Sequence, residues 1–143
     1  MLKNISPIIS PQLLKILCEM GHGDEIVLAD ANFPAESIAH NNQIIRAEGI
    51  GMVELLKAIL PLFPLDQYDN EKFIVMQAIE GDPKPLIWED FKEIVNEHAT
   101  ESEITFIERF AFYDRAKKAY AVVATGETSQ YANVILKKGV ILF

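Results

Sequence analysis

The chain has 143 residues, 13 Lys+Arg against 21 Asp+Glu, a net charge of −8, and an apolar half spread over its whole length. The acidity excludes the concentrated basic surface that nucleic acid requires and disfavours an anionic membrane, and the apolar content excludes a disordered chain. One domain spanning 1–143 is expected, with room for a sizeable core.

Residues 1–12 carry two prolines and no long apolar region, so no secretory leader is expected. No apolar run reaches the roughly 18 residues of a membrane-spanning helix. The single cysteine, Cys18, excludes an intrachain disulfide, and cysteine usage points to the cytoplasm. Ser10-Pro11 opens a helix, with an N-cap hydroxyl and a proline at the first helical position. Leu13, Leu14, Ile16, Leu17 and Met20 give it one apolar face, and Gly21 ends it. Cys18, four residues after Leu14, is expected to be a small buried hydrophobe.

Next comes Gly21-His22-Gly23-Asp24-Glu25, an imidazole between two glycines. Residues 25–29 read as a buried strand that ends in a carboxylate, Asp30, before a turn closed by Pro34. An exposed histidine in a tight loop, with an acid nearby, suits proton transfer at neutral pH. The same pattern is equally that of an ordinary turn. A metal site from His22, Asp24 and Glu25 is disfavoured, because such close neighbours rarely all point at one ion. His40-Asn41-Asn42 reads as a solvated polar loop.

Residues 43–46 are a second strand candidate, and 52–63 repeat the helical pattern up to Pro61 and Pro64. Residues 72–79 read as a strongly apolar strand stopped by Gly81-Asp82-Pro83, and 85–98 as a helix in which Trp88 and Phe91 belong to the core or an interface. Residues 103–107 read as a strand followed by Arg109, and 112–118 as a short helix. Residues 120–125 and 133–137 read as strands, close enough in sequence to pair antiparallel. The alternation predicts an α/β layered fold, a mostly parallel central sheet flanked by helices with a strand-rich C-terminus.

Ligands of such sheets gather beyond the carboxyl ends of the strands, where Asp30 and Arg109 fall. His22 precedes its strand. It therefore reaches the same pocket only by a detour of the chain or from another subunit. Tyr131 and Asn133, two apart, are expected on one face of a strand.

Several motifs in order resemble those of the fucose mutarotase and ribose pyranase family. Besides Gly21–Glu25 and Asp30-Ala31-Asn32-Phe33-Pro34, Arg46-Ala47-Glu48-Gly49 resembles R-A-(D/E)-G, and Pro64-Leu65-Asp66-Gln67-Tyr68 resembles P-L-D-x-Y. Arg109–Ala116 resembles R-F-x-F-Y-(D/E)-R-A, and Thr125-Gly126-Glu127 with residues 131–139 completes the set. The resemblance covers essentially the whole chain and is weakest over 82–102. Ala132 stands where the family often has glycine. Arg109 and the Phe-x-Phe-Tyr after it look like the fucose branch, since the ribose branch usually has histidine near that place.

The resemblance implies interconversion of the α and β anomers of L-fucose and related pyranoses by ring opening with general acid/base catalysis, and no cofactor. Its alternatives are D-ribose pyranase activity and a non-catalytic sugar-binding protein on the same fold. It implies His22 and Tyr113 as proton-transfer groups, and Asp30, Asp66, Arg109, Tyr131 and Asn133 as groups that hold the monosaccharide. It also implies self-association into ring-like decamers with sites shared between subunits.

Overall fold

The structure is a computed structural model and describes residues 1–40, 42–99 and 104–143; Asn41 and Glu103, named in the polar loop and in the fourth strand above, lie outside the described residues. In chain order the elements are α1 (Pro11–Glu19), β1 (Glu25–Ala29), α2 (Ala35–Ile38), β2 (Gln43–Ala47), α3 (Met52–Ile59), β3 (Phe73–Met76), α4 (Ile87–His98), β4 (Thr105–Ile107), α5 (Arg109–Ala116), β5 (Ala121–Thr125) and β6 (Val134–Lys137).

The six strands form one sheet in the order β2-β5-β1-β6-β3-β4. β1 and β2 each pair parallel with β5, and β3 pairs parallel with β4, whereas β6 runs antiparallel to both of its neighbours, β1 and β3. The sheet is therefore mixed and mostly parallel. The expected β5–β6 pairing does not form, because β1 lies between them. Glu127 O accepts from the Ala31 amide at 2.8 Å, so the β5–β6 connection passes over the end of β1. That step spans two strand spacings, roughly 10 Å. At the start of this connection Gly126 passes tight against the chain beyond β2, where a Cβ would lie 1.9 Å from the Glu48 carbonyl oxygen.

Both faces of the sheet are covered. Ile26, Leu28, Phe73, Val75, Val123, Val134 and Leu136 face α1, α3 and α4, while Val27, Ile74, Met76, Val122 and Ile135 face α2 and α5. Burial on both faces is why these strands read as continuous apolar runs rather than as alternations. On the second face Phe112 is fully buried and seats α5. Truncating such a side chain to alanine costs about 3–5 kcal/mol.

Several boundaries differ from expectation, among them the end of β3, which stops at Met76 and not at 79, and one helix, α2, was not expected. α5 begins at Arg109, because the Glu108 carboxylate caps it, accepting from the Phe110 and Ala111 amides at 2.9 and 3.1 Å. α3 stops at Ile59, ahead of Pro61, which lacks the amide needed to continue the ladder. α2 has four residues and leaves no periodic signature. Cys18 is exposed, contrary to its expected burial, because the core stripe of α1 runs through Leu13, Ile16 and Leu17 and leaves residue 18 on the flank.

Candidate active site

At the amino end of β1 the chain forms a loop braced from both sides. The Lys138 ammonium donates to the carbonyls of Leu17 and Met20 at 2.7 and 2.6 Å and so satisfies the open end of α1. Gly23, at φ 86, donates its amide to the Lys138 carbonyl at 2.8 Å, and the Asp24 carboxylate accepts from the Gly21 amide at 2.7 Å. His22 stands at the apex with its side chain 46% exposed.

His22 Nε2 lies 3.1 Å from Asp66 Oδ1, on a side chain that is only 5% exposed. The same Oδ1 accepts from the Tyr68 amide at 3.0 Å. A carboxylate only accepts, so Nε2 carries the hydrogen of this bond, and in the neutral ring Nδ1 is left as the acceptor. Tyr68 flanks the imidazole with its ring centre 5.5 Å away. Asp66 is thus committed to the histidine and to its own loop. That loop is pinned further on: Lys137 pairs with Asp69, and Arg115 reaches Glu71 at 2.7 Å while gripping Glu25 with two nitrogens.

The second polar cluster occupies the carboxyl edge of β1. Asp30 is buried, and its amide donates to Asn133 Oδ1 at 2.8 Å while Asn133 Nδ2 donates to Asp30 Oδ2 at 3.0 Å. Burial pushes the Asp30 carboxyl above the usual carboxylate value, against the opposing pull of hydrogen bonds from Asn32, Ala132, Asn133 and Phe33. Beside it the Thr125 hydroxyl donates to the Ala29 carbonyl at 2.7 Å. A cleft of about 580 Å³ opens here, with Asp30, Phe33, Arg46, Glu48 and Thr125 among its walls.

Tyr131 and Asn133 precede β6 rather than sharing a strand face. Tyr131 has φ 53, so the backbone turns between them. Asn133 points to Asp30, and the Tyr131 hydroxyl donates to Asp82. Arg109, at the start of α5, lies 4.6 Å above the Phe110 ring and lines a second cleft of about 350 Å³ with residues 77–80. Tyr113 is half-buried, its ring 5.6 Å from Phe33 and 6.3 Å from Phe110.

Of the seven residues singled out by sequence, the structure brings His22 and Asp66 together at one end. Asp30, Asn133, Tyr131, Arg109 and Tyr113 lie at or toward the other. The whole of β1, five residues and roughly 15 Å of extended chain, stands between His22 and Asp30. Asp30 therefore does not orient the His22 ring of its own protomer; Asp66 does. Sequence reading missed Tyr68 and Asp82. Tyr68 sits within the P-L-D-x-Y motif, but Asp82 is in a Gly-Asp-Pro turn whose only visible signal was the end of a strand.

Comparison with known proteins settles the ancestry of this arrangement. The model of the RbsD / FucU transport protein family matches residues 3–141. The L-fucose mutarotase of Glaesserella parasuis is 54% identical over 142 residues, covering 98% of this chain and 96% of that protein. The chain belongs to the RbsD/FucU family. Among solved members, the fucose mutarotase of Streptococcus pneumoniae in complex with L-fucose matches with a TM-score of 0.94 and 54% identity, covering 99% of this chain and all of that one. The Bacillus subtilis RbsD complexed with D-ribose shares the RbsD/FucU fold at greater distance, with a TM-score of 0.75 and 27% identity over 99% of this chain and all of that one.

Proposed function

We propose that this protein is an L-fucose mutarotase, an isomerase that interconverts the α and β anomers of L-fucose. The observation that carries this reading is the full-length likeness to an L-fucose-bound mutarotase, at twice the identity found with the ribose-bound relative. A base removes the proton of the anomeric hydroxyl. The C1–ring oxygen bond breaks with its electrons going to the oxygen, which takes up a proton, and the aldehyde results. Rotation about C1–C2 and closure on the other face complete the exchange.

His22 suits the proton transfer, with Asp66 fixing its tautomer and leaving Nδ1 toward solvent as the base. The contribution of Asp66 to sugar binding then passes through the imidazole it holds. Asp30, Asn133, Tyr131 and Arg109 supply acceptors and donors for sugar hydroxyls, with Tyr113 as a second proton-transfer group. The two clusters lie at opposite ends of β1, so a complete site joins the His22 edge of one protomer to the Asp30 edge of another. Such head-to-tail contact suits a ring-like homo-oligomer, the decamer that the family resemblance implies. We assign the protein to the cytoplasm, a reading supported by its cysteine usage.

Saturation-transfer NMR tests the reading, because it reports exchange between anomers at equilibrium. Catalysed exchange is expected for L-fucose, with slower pyranose–furanose exchange for D-ribose. Faster exchange on ribose would favour the pyranase activity, and binding of fucose without exchange would leave a sugar-binding protein.

A further inference from the structure

We propose that Asp82 is a positioning residue for the reaction: its carboxylate takes the hydrogen bond of the Tyr131 hydroxyl and thereby presents the phenol oxygen to the sugar as an acceptor only. The inference rests on the reading of Tyr131 as a sugar contact and adds to it the group that sets the direction of that contact.

Three features carry it. The main chain of Tyr131 is locked. It sits in the left-handed region at φ 53, a conformation that ordinary residues rarely adopt. Its carbonyl accepts from the indole Nε1 of the buried Trp88 at 2.9 Å. The half-buried ring packs against core residues on both faces of the sheet, and its hydroxyl reaches beyond them. What holds the hydroxyl is Asp82 Oδ2.

The backbone that carries the exposed Asp82 carboxylate is itself held. Asp82 lies in a tight turn after β3, its amide donating to the Ile79 carbonyl at 3.0 Å, between Gly81 at φ 96 and the rigid Pro83. The turn leaves the carboxyl end of β3 and reaches back to Tyr131, beside the cleft that Arg109 lines. Asp82, the Ile79 backbone amide and the Arg109 charge all act on the phenol. The hydrogen bond to Asp82 is the largest of these influences, and it raises the hydroxyl above the usual phenol value.

A phenol has one proton to give. With that proton committed to a carboxylate, which forms the stronger, charge-assisted kind of hydrogen bond, only oxygen lone pairs remain for the ligand. Arg109 has only donors. Together the two present an acceptor beside donors, the match for a sugar hydroxyl that gives its proton to Tyr131 and accepts from Arg109.

The test compares L-fucose exchange by wild type, Asp82→Ala, Asp82→Glu, Tyr131→Phe and the Asp82→Ala/Tyr131→Phe double variant. Asp82→Ala is expected to raise KM roughly three- to tenfold, the worth of one net hydrogen bond, with little change in kcat. Asp82→Glu is expected to recover part of the loss. In the Tyr131→Phe background Asp82→Ala is expected to do nothing further. Without sugar, ultraviolet titration is expected to show one phenol ionising at lower pH in Asp82→Ala than in wild type, and that component is absent from Tyr131→Phe. An undiminished effect of Asp82→Ala in the Tyr131→Phe background overturns the proposal, as does a loss in kcat with KM unmoved. Tyr131→Phe that exchanges fucose like wild type shows instead that the sugar-contact reading failed, and removes the basis of the proposal with it.

Discussion

His22 is tied to the protein through one ring nitrogen and an exposed loop, so its chemistry and its packing separate. His22→Asn is expected to lower anomer exchange by roughly 10²-fold or more while the thermal unfolding midpoint stays close to wild type. Exchange at the wild-type rate would remove His22 from the mechanism. Arg109 lies on a ring that is itself 60% exposed, so little stability rests on it. Arg109→His is expected to reduce fucose exchange more than stability and to move the fucose-to-ribose rate ratio toward ribose. An unchanged ratio would mean that residue 109 does not set sugar choice. At this scale the sequence offered candidate residues but not their partners. The His22–Asp66 and Asp30–Asn133 bonds span 44 and 103 positions, and no local pattern encodes such pairings.

Among the elements, the segment from Asp66 to Glu71 matters most, because it carries the partner of His22. Lys137 holds the Asp69 carboxyl below the usual carboxylate range through their hydrogen bond. A carboxyl depressed in the folded state contributes stability above its ordinary pKa and loses it as pH falls through the depressed value. Asp69→Asn is therefore expected to destabilise the protein slightly at neutral pH and to flatten its acid-side loss of stability. Urea unfolding near pH 6 and pH 3 checks this; the expectation fails if both proteins lose equal stability between the two. The cores of these elements were readable. β1 falls where its apolar run predicted, and α1 starts at the Ser10-Pro11 signal. Boundaries were harder where a side chain outside the usual capping set took the role, as Glu108 does for α5. The β5–β6 arrangement was unreadable because two strands joined by a short connection usually pair, and only a long-range contact, the Ala31 amide on the Glu127 carbonyl, shows that this connection crosses β1.

For the molecule as a whole, the distance along β1 governs what one copy can do alone. Mixing inactive His22→Ala with inactive Tyr131→Phe/Asn133→Ala protein, under conditions of subunit exchange, is expected to restore part of the activity. Each damaged copy then lends its intact edge to the other. No recovery in demonstrably mixed oligomers would count against a shared site. β1 thus acts as a spacer with unlike ends, and this sets an arithmetic for assembly. On the proposed shared site, a free protomer holds two half-sites and no whole one. An open row of copies wastes a half-site at each end, whereas a closed ring or a reciprocal pair wastes none. Specific activity should therefore be full in any closed assembly whatever its size, and fall short of that in every open row, most of all in the shortest. A fragment of a broken ring would be one site poorer than its number of subunits.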